Sequence, residues 1–333
     1  MRSPGRFLSA ALSLLLLIPA VAFAQQAEQE DVTTFRSDVN VVNIFFNVKD
    51  KKGALIPNLR KEDFQVFEDG KPQTVRYFAA ETNQPLTMGI LIDSSASQER
   101  VLEIEKEVGA QFLRDVVRQK DLAFVISFDV SVDLLQDFTN APKELASALN
   151  RARINTGGGG GSLPGLGGGP FPTSMDPKGT LLYDAIYLAA HEKLANEVGR
   201  KAMIILTDGA DQGSRTSIHE AIEAAQKADA ICYVILIADR GFYSGQGYYG
   251  DREMKDLTRQ TGGRVIEVTD NREKLKQAFD QIAAELRSQY SIGYTPTNKK
   301  LDGTFRKIEI KTRDGHKVQS RTGYYAARNA SGD

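Results

Sequence analysis

Asp93-Ser94-Ser95-Ala96-Ser97 sets one carboxylate and two hydroxyls at alternate positions, directly after the apolar run TMGILID (87–93). These side chains offer oxygen alone, which suits a small hard cation such as Mg2+, Ca2+ or Mn2+ and disfavours zinc or copper. By itself the pentapeptide reads equally well as a strand end followed by a Ser97 helix cap, because Asp and Ser are ordinary capping residues. Two further segments shift that balance. LTDGAD puts Asp208 at the close of another apolar run, and KGTLLYDA puts Thr180 at the opening of a helical pattern. If both runs are strands of one open sheet, Asp93 and Asp208 share its carboxyl rim and Thr180 brings a third hydroxyl there. Five oxygen-bearing side chains then converge.

The elements that must position them are readable. TMGILID, LAFVISF (122–128), KAMIILT (201–207) and ICYVILI (231–237) are apolar almost without a break, as in parallel strands buried on both faces. Val101, Ile104, Val108 and Phe112 recur at spacings of three and four, with Glu103, Glu105, Lys106 and Glu107 on the other positions, which predicts an amphipathic helix. Further helices are expected over 181–196, 217–228, 252–260 and 272–288. The expected fold is α/β, a doubly wound, mostly parallel sheet with helices on both faces, spanning 84–287.

The flanks differ. Val42, Ile44, Phe46 and Val48 alternate with other residues, and DFQVFEDGKPQTVRYF sets two short strands about Asp69-Gly70, a tight-turn dipeptide. Beyond the helices, Tyr290, Ile292, Tyr294, Ile308 and Ile310 alternate again. Each flank is marginal alone, so 33–83 and 288–326 are expected to form one discontinuous β-sandwich, smaller than the domain inserted into it. Residues 327–333 are expected to be a disordered tail. Residues 153–179 are a glycine- and proline-rich loop. Its glycines run into Pro170 and Phe171 instead of a Lys and a Ser or Thr, so it is no phosphate cradle.

The opening residues place Arg2 and Arg6 before an apolar run that ends in Ala22-Phe23-Ala24, the pattern of a signal peptide cleaved after Ala24. The mature chain is then expected in the periplasm or outside the cell, with no membrane span. Cys232 is the only cysteine, so no internal disulfide forms, and its setting in ICYVILI is that of a buried thiol. With 42 Lys and Arg against 43 Asp and Glu, no overall field draws the chain to nucleic acid.

The three motifs resemble the metal-ion-dependent adhesion site of von Willebrand factor A (vWA) domains, and the likeness covers roughly 85–287. DFQVFEDGKPQ, TGGRVIEV and LRSQYSIGYTP are also similar to secreted bacterial vWA-related proteins that carry an extra β region. The resemblance implies a divalent-cation site of Asp93, Ser95, Ser97, Thr180 and Asp208, with hydroxyls from the serines and threonine, and aspartates ligating directly or through water. It further implies a bound water that an Asp or Glu of a partner protein replaces. Thr173 competes for the threonine role, but LLYDAI after Thr180 reads as the helix the family places there. Asp211 reads either as outer support for the site or as an exposed loop acid. Tyr243, Tyr248 and Tyr249 read equally as a partner-contacting rim or as aromatics packed on their own loop.

A binding module in adhesion, envelope assembly or regulation of a complex is the first expectation. The alternative is an envelope scaffold whose metal only stabilises it. Catalysis is not expected: His191, His219 and His316 are the only histidines, and no nucleophile-elbow pattern surrounds Ser95 or Ser97.

Overall fold

The computed structural model describes residues 41–81, 84–154, 179–237, 250–269 and 271–328. The expected signal peptide, nearly all of the glycine-rich loop with Thr173, and Tyr243, Tyr248 and Tyr249 lie outside these residues. In chain order come β1 (Val42–Lys49), β2 (Phe64–Glu68), β3 (Lys71–Gln73), β4 (Val75–Glu81), β5 (Leu86–Asp93) and α1 (Leu102–Val116). Next are β6 (Leu122–Phe128), β7 (Val132–Thr139), α2 (Pro142–Arg151), α3 (Leu182–Leu188), β8 (Arg200–Thr207), α4 (Ile218–Lys227) and β9 (Ala230–Ile237). α5 (Gly250–Thr261), β10 (Val265–Val268), α6 (Arg272–Arg287), β11 (Gln289–Tyr294), β12 (Phe305–Thr312), β13 (Lys317–Ser320) and β14 (Gly323–Tyr325) complete the set.

The central sheet runs β10-β9-β8-β5-β6-β7, parallel throughout except for β7, which lies antiparallel to β6. Every residue of β5, β8 and β9 is buried, as unbroken apolar runs require. Side chains of alternate parity feed two separate cores. Met88, Ile90 and Ile92 meet α1, α2 and α6 on one face, while Leu91 meets α3, α4 and α5 on the other. At Gly89 the strand packs so closely on β6 that a Cβ would stand 2.4 Å from the Phe124 ring.

Five elements differ from the sequence expectations. β7 and β10 were not expected as strands, and α2 not as a helix; β7 is a half-exposed edge without a clean apolar period. α3 passes at Ala189–Leu194 into a π-helical turn instead of running on as one regular helix. In α1, Glu105 and Lys106 are buried, not solvent-facing as the amphipathic reading placed them. Glu105 shares the 101/105/108/112 stripe at helical spacing, so its backbone position puts it in the interior.

The flanking segments build two four-stranded sheets, β13-β1-β11-β4 and β14-β12-β2-β3. Both sheets combine strands from before and after the α/β domain, and one apolar cluster from Val42 to Ile310 fills the space they enclose. In it Phe46, Phe64, Phe78 and Tyr290 pack with ring centroids 5.2 to 5.8 Å apart. Asp69 and Gly70 both take positive φ between β2 and β3, the geometry of a two-residue hairpin turn. Asp302 bridges Arg328, so the first residues of the expected tail are paired with a loop. Glu285 on α6 fastens this region to the α/β domain. Its buried carboxylate accepts hydrogen bonds from Lys49 Nζ at 2.8 Å on β1 and Gln319 Nε2 at 3.0 Å on β13, and forms an ion pair with Arg264, whose Nε lies 2.7 Å away.

Candidate metal centre

Asp93 is the last residue of β5, and Asp208 directly follows β8, its neighbour in the sheet. Pairing of Ile92 with Leu206 sets Asp93 level with Thr207. Gly209 takes a φ of 82°, a conformation natural to glycine, and so turns the chain sharply after Asp208. Both carboxylates are buried at the carboxyl rim, where open α/β sheets bind ligands.

A string of hydrogen bonds joins four of the five predicted groups. Ser95 N–H donates to Asp93 Oδ1 at 3.0 Å, Ser95 Oγ and Ser97 Oγ are 3.0 Å apart, and Ser97 Oγ donates to Asp208 Oδ2 at 2.6 Å. Ser97 therefore does not cap α1, whose N-cap is Val101. Thr180 is drawn in by its backbone: its N–H donates to Gln212 O at 3.0 Å and its carbonyl accepts from Gln212 N–H at 2.9 Å, on the loop that leaves Asp208. Leu181 N–H donates to Asp129 O at 2.8 Å, while Ser94 Oγ donates to Asp129 Oδ2 at 3.4 Å, which ties the Thr180 segment to the β5 loop. Asp211 accepts from Tyr183 N–H at 3.1 Å and Ser214 Oγ at 2.6 Å, so it anchors the N-terminus of α3 just behind Thr180.

Two contributors escaped the sequence reading. Thr207 Oγ1 donates to Asp93 Oδ2 at 2.7 Å and accepts from Gly209 N–H at 3.0 Å, fixing the Asp93 carboxylate and the turn together. Its place immediately before Asp208, at the end of a buried strand, was the available signal. Glu105 was missed because a glutamate in a helix reads as solvent-facing; its stripe position was the signal.

Burial first, and then Asp208, raise the Asp93 carboxyl to about 7. Burial, Asp93 and Asp208 hold Glu105 well above the ordinary carboxyl range. Neither Glu105 oxygen has a hydrogen-bond partner among the described residues. Asp93 and Asp208 both disfavour a charged Glu105, so negative charge accumulates here and a cation would relieve it. The donor set, two carboxylates and three hydroxyls, fits a hard divalent ion, with Asp93, Ser95, Ser97, Thr180 and Asp208 to hold it.

A doubly wound sheet thus presents an Asp-x-Ser-x-Ser loop beside a second aspartate at its rim. The fold is of the von Willebrand factor A type. Similar solved structures include BatB from Bacteroides thetaiotaomicron, 16% identical over 61% of this chain and 100% of that one, with a TM-score of 0.43. The vWF domain of the type V pili tip protein Mfa5 from Porphyromonas gingivalis is 12% identical over 61% of this chain and 95% of that one, at a TM-score of 0.46. Proximal thread matrix protein 1 from the mussel byssus, described with a zinc-occupied MIDAS motif, is 14% identical over 65% of this chain and 48% of that one, at 0.46. The chain thus spans about half the length of that vWA protein, and these likenesses concern the fold alone. No family model and no curated protein match the chain.

Proposed function

We propose that this vWA protein is exported and binds a partner protein through a divalent cation held by Asp93, Ser95, Ser97, Thr180 and Asp208. The observation that carries the reading is the string from Asp93 through Ser95 and Ser97 to Asp208, which links oxygen donors 115 residues apart (93 to 208) at one rim. When bound, the cation supplies a positive centre that a carboxylate from outside can join. The chain's own part is to present two acids and three hydroxyls without neutralising the ion beyond recruiting another anion. Thr207 keeps the Asp93 carboxylate oriented meanwhile. Mg2+ is the cation we favour, with Ca2+ and Mn2+ next.

We assign no catalytic activity. His191 stacks on Tyr187 and bonds to Glu192 at the surface, a structural setting. Export rests on the Arg2-to-Ala24 pattern; no helix among the described residues is long and apolar enough to cross a membrane.

The test has two stages. Titration calorimetry of the chelated protein with Mg2+, Ca2+, Mn2+ and Zn2+ is expected to show one site that Asp93→Ala abolishes while circular dichroism stays native. Pull-down from envelope extract is then expected to yield a partner that chelator and Asp93→Ala both release. Metal binding with partner capture unchanged by chelator would favour a scaffold whose ion only stabilises it. Metal-dependent hydrolysis of ester, peptide or phosphate substrates, lost in Asp93→Ala, would overturn the non-catalytic reading.

A further inference from the structure

We infer that Glu105 is a third carboxylate of the cation site, a positioning residue that acts through space from behind the ligands. The inference rests on the metal-site reading above. α1 leaves the loop that carries Ser95 and Ser97, and Glu105 lies in its first turn, where the Cα–Cβ bond tilts back toward that loop. The side chain is fully buried, and both its oxygens lack hydrogen-bond partners among the described residues. Gln98, in the turn between Ser97 and α1, has a buried Oε1 in the same condition. Orphaned acceptors thus sit on both sides of the passage from the loop into the helix.

Packing gives no reason for an acid there. The same stripe is filled by Val101, Val108 and Phe112, and an apolar side chain would serve it without a desolvation penalty. The helix dipole alone does not account for it, because a contribution of at most about 2 kcal/mol falls short of the several kcal/mol it costs to bury a charged carboxylate, and the exposed Glu103 already serves the first turn while pairing with Lys106. Lys106 is therefore engaged elsewhere. The charged groups that act on Glu105 are Asp93 and Asp208. A buried carboxylate is tolerated in its charged form when an opposite charge accompanies it, and a divalent ion held by Asp93 and Asp208 would supply that charge. Among the described residues no three Asp, Glu, His or Cys side chains form a chelating group, so Glu105 contributes field and not a ligand bond.

A field contribution has a signature that a packing contribution lacks: it scales with the charge of the ion. Ca2+ and Tb3+ are titrated into chelator-stripped wild type, Glu105→Gln, Glu105→Asp and Asp93→Ala, with thermal melting of each in chelator. Glu105→Gln is expected to weaken Ca2+ binding by about 10- to 100-fold, the usual reach of outer groups on a metal site. Its loss for Tb3+, on a logarithmic scale, is expected to be about 1.5 times that for Ca2+. Glu105→Asp, which keeps the charge, retains most of the affinity, and Glu105→Gln melts in chelator no lower than wild type. Wild-type affinity in Glu105→Gln, or equal logarithmic losses for the two ions, overturns the inference and leaves the metal site standing. If wild type itself binds neither ion, or Asp93→Ala binds both as well as wild type, the metal-site reading fails first and this one with it.

Discussion

The buried Asp93 carboxyl makes a sharp prediction for the metal-free protein. Desolvation and Asp208 raise it to about 7 in the fold, whereas in the unfolded chain it titrates near the ordinary carboxyl value of about 3.9. Between these values the folded state holds a proton that the unfolded state has released, so stability falls as pH rises through this window. Each unit costs about 1.4 kcal/mol, and from pH 5 to pH 8 the loss is ~3 kcal/mol. In a domain of this size that corresponds to roughly 6–10 °C of melting temperature. The assay is differential scanning calorimetry in chelator at pH 5, 6, 7 and 8 on wild type and Asp93→Asn. Asn retains an acceptor for Ser95 N–H but removes the charge. Wild type is expected to melt progressively lower toward pH 8, so that its stability relative to Asp93→Asn falls by ~3 kcal/mol across the series. Saturating Mg2+ at pH 8 should restore about 2.7 kcal/mol at one hundred times its dissociation constant. Parallel pH curves for the two proteins would refute the reasoning, because Asp93 would then be ionised in the fold without cost.

Three substitutions probe the supports around the site. Thr207→Ala strips a donor from Asp93 Oδ2 and an acceptor from Gly209 N–H, and is expected to cost about 1–3 kcal/mol in denaturant titration. Gly89→Ala drives a methyl into the Phe124 ring between β5 and β6; overpacking of about 1–3 kcal/mol should appear as a lower urea midpoint with an unchanged slope. Glu285→Ala leaves Lys49 and Arg264 without their shared acid where the sandwich meets the α/β domain, and a loss of about 3 kcal/mol is expected in the same titration.

The most readable parts of the chain were those with one dominant physical signal. Continuous burial marked β5, β6, β8 and β9 to within a residue or so, since a strand covered on both faces has no room for polar side chains. Period-two alternation and Asp69-Gly70 marked the sandwich strands for the same kind of reason. β7 was hidden because an edge strand with one half-exposed face carries Asp133, Gln136 and Asp137 among its apolar residues, and β10 because four residues are too few for a period. At the rim, the proximity of Asp93, Ser95, Ser97 and Asp208 was readable from spacing and strand ends, and the bonds of Ser97 place it beside Asp208 and not at the cap of α1. The anchoring of Thr180 to Gln212 is a tertiary event with no local trace. Glu105 misled through its chemistry: residue type outweighed helical position in the reading, and position proved decisive for where it sits.

The sandwich also sets an order of assembly. β1 pairs with β11 residue by residue, Ile44 opposite Ile292, across a separation that includes the whole α/β domain. Strands β1 to β4 are made first and cannot bury their inner faces until β11 to β14 have been made, so the early strands wait with open edges. The inserted domain shortens that wait: once folded, it delivers β11 from the end of α6 directly beside β4, with Gln289 opposite Glu81. A defect that slows its folding would therefore surface first as aggregation through a region far along the chain from the lesion.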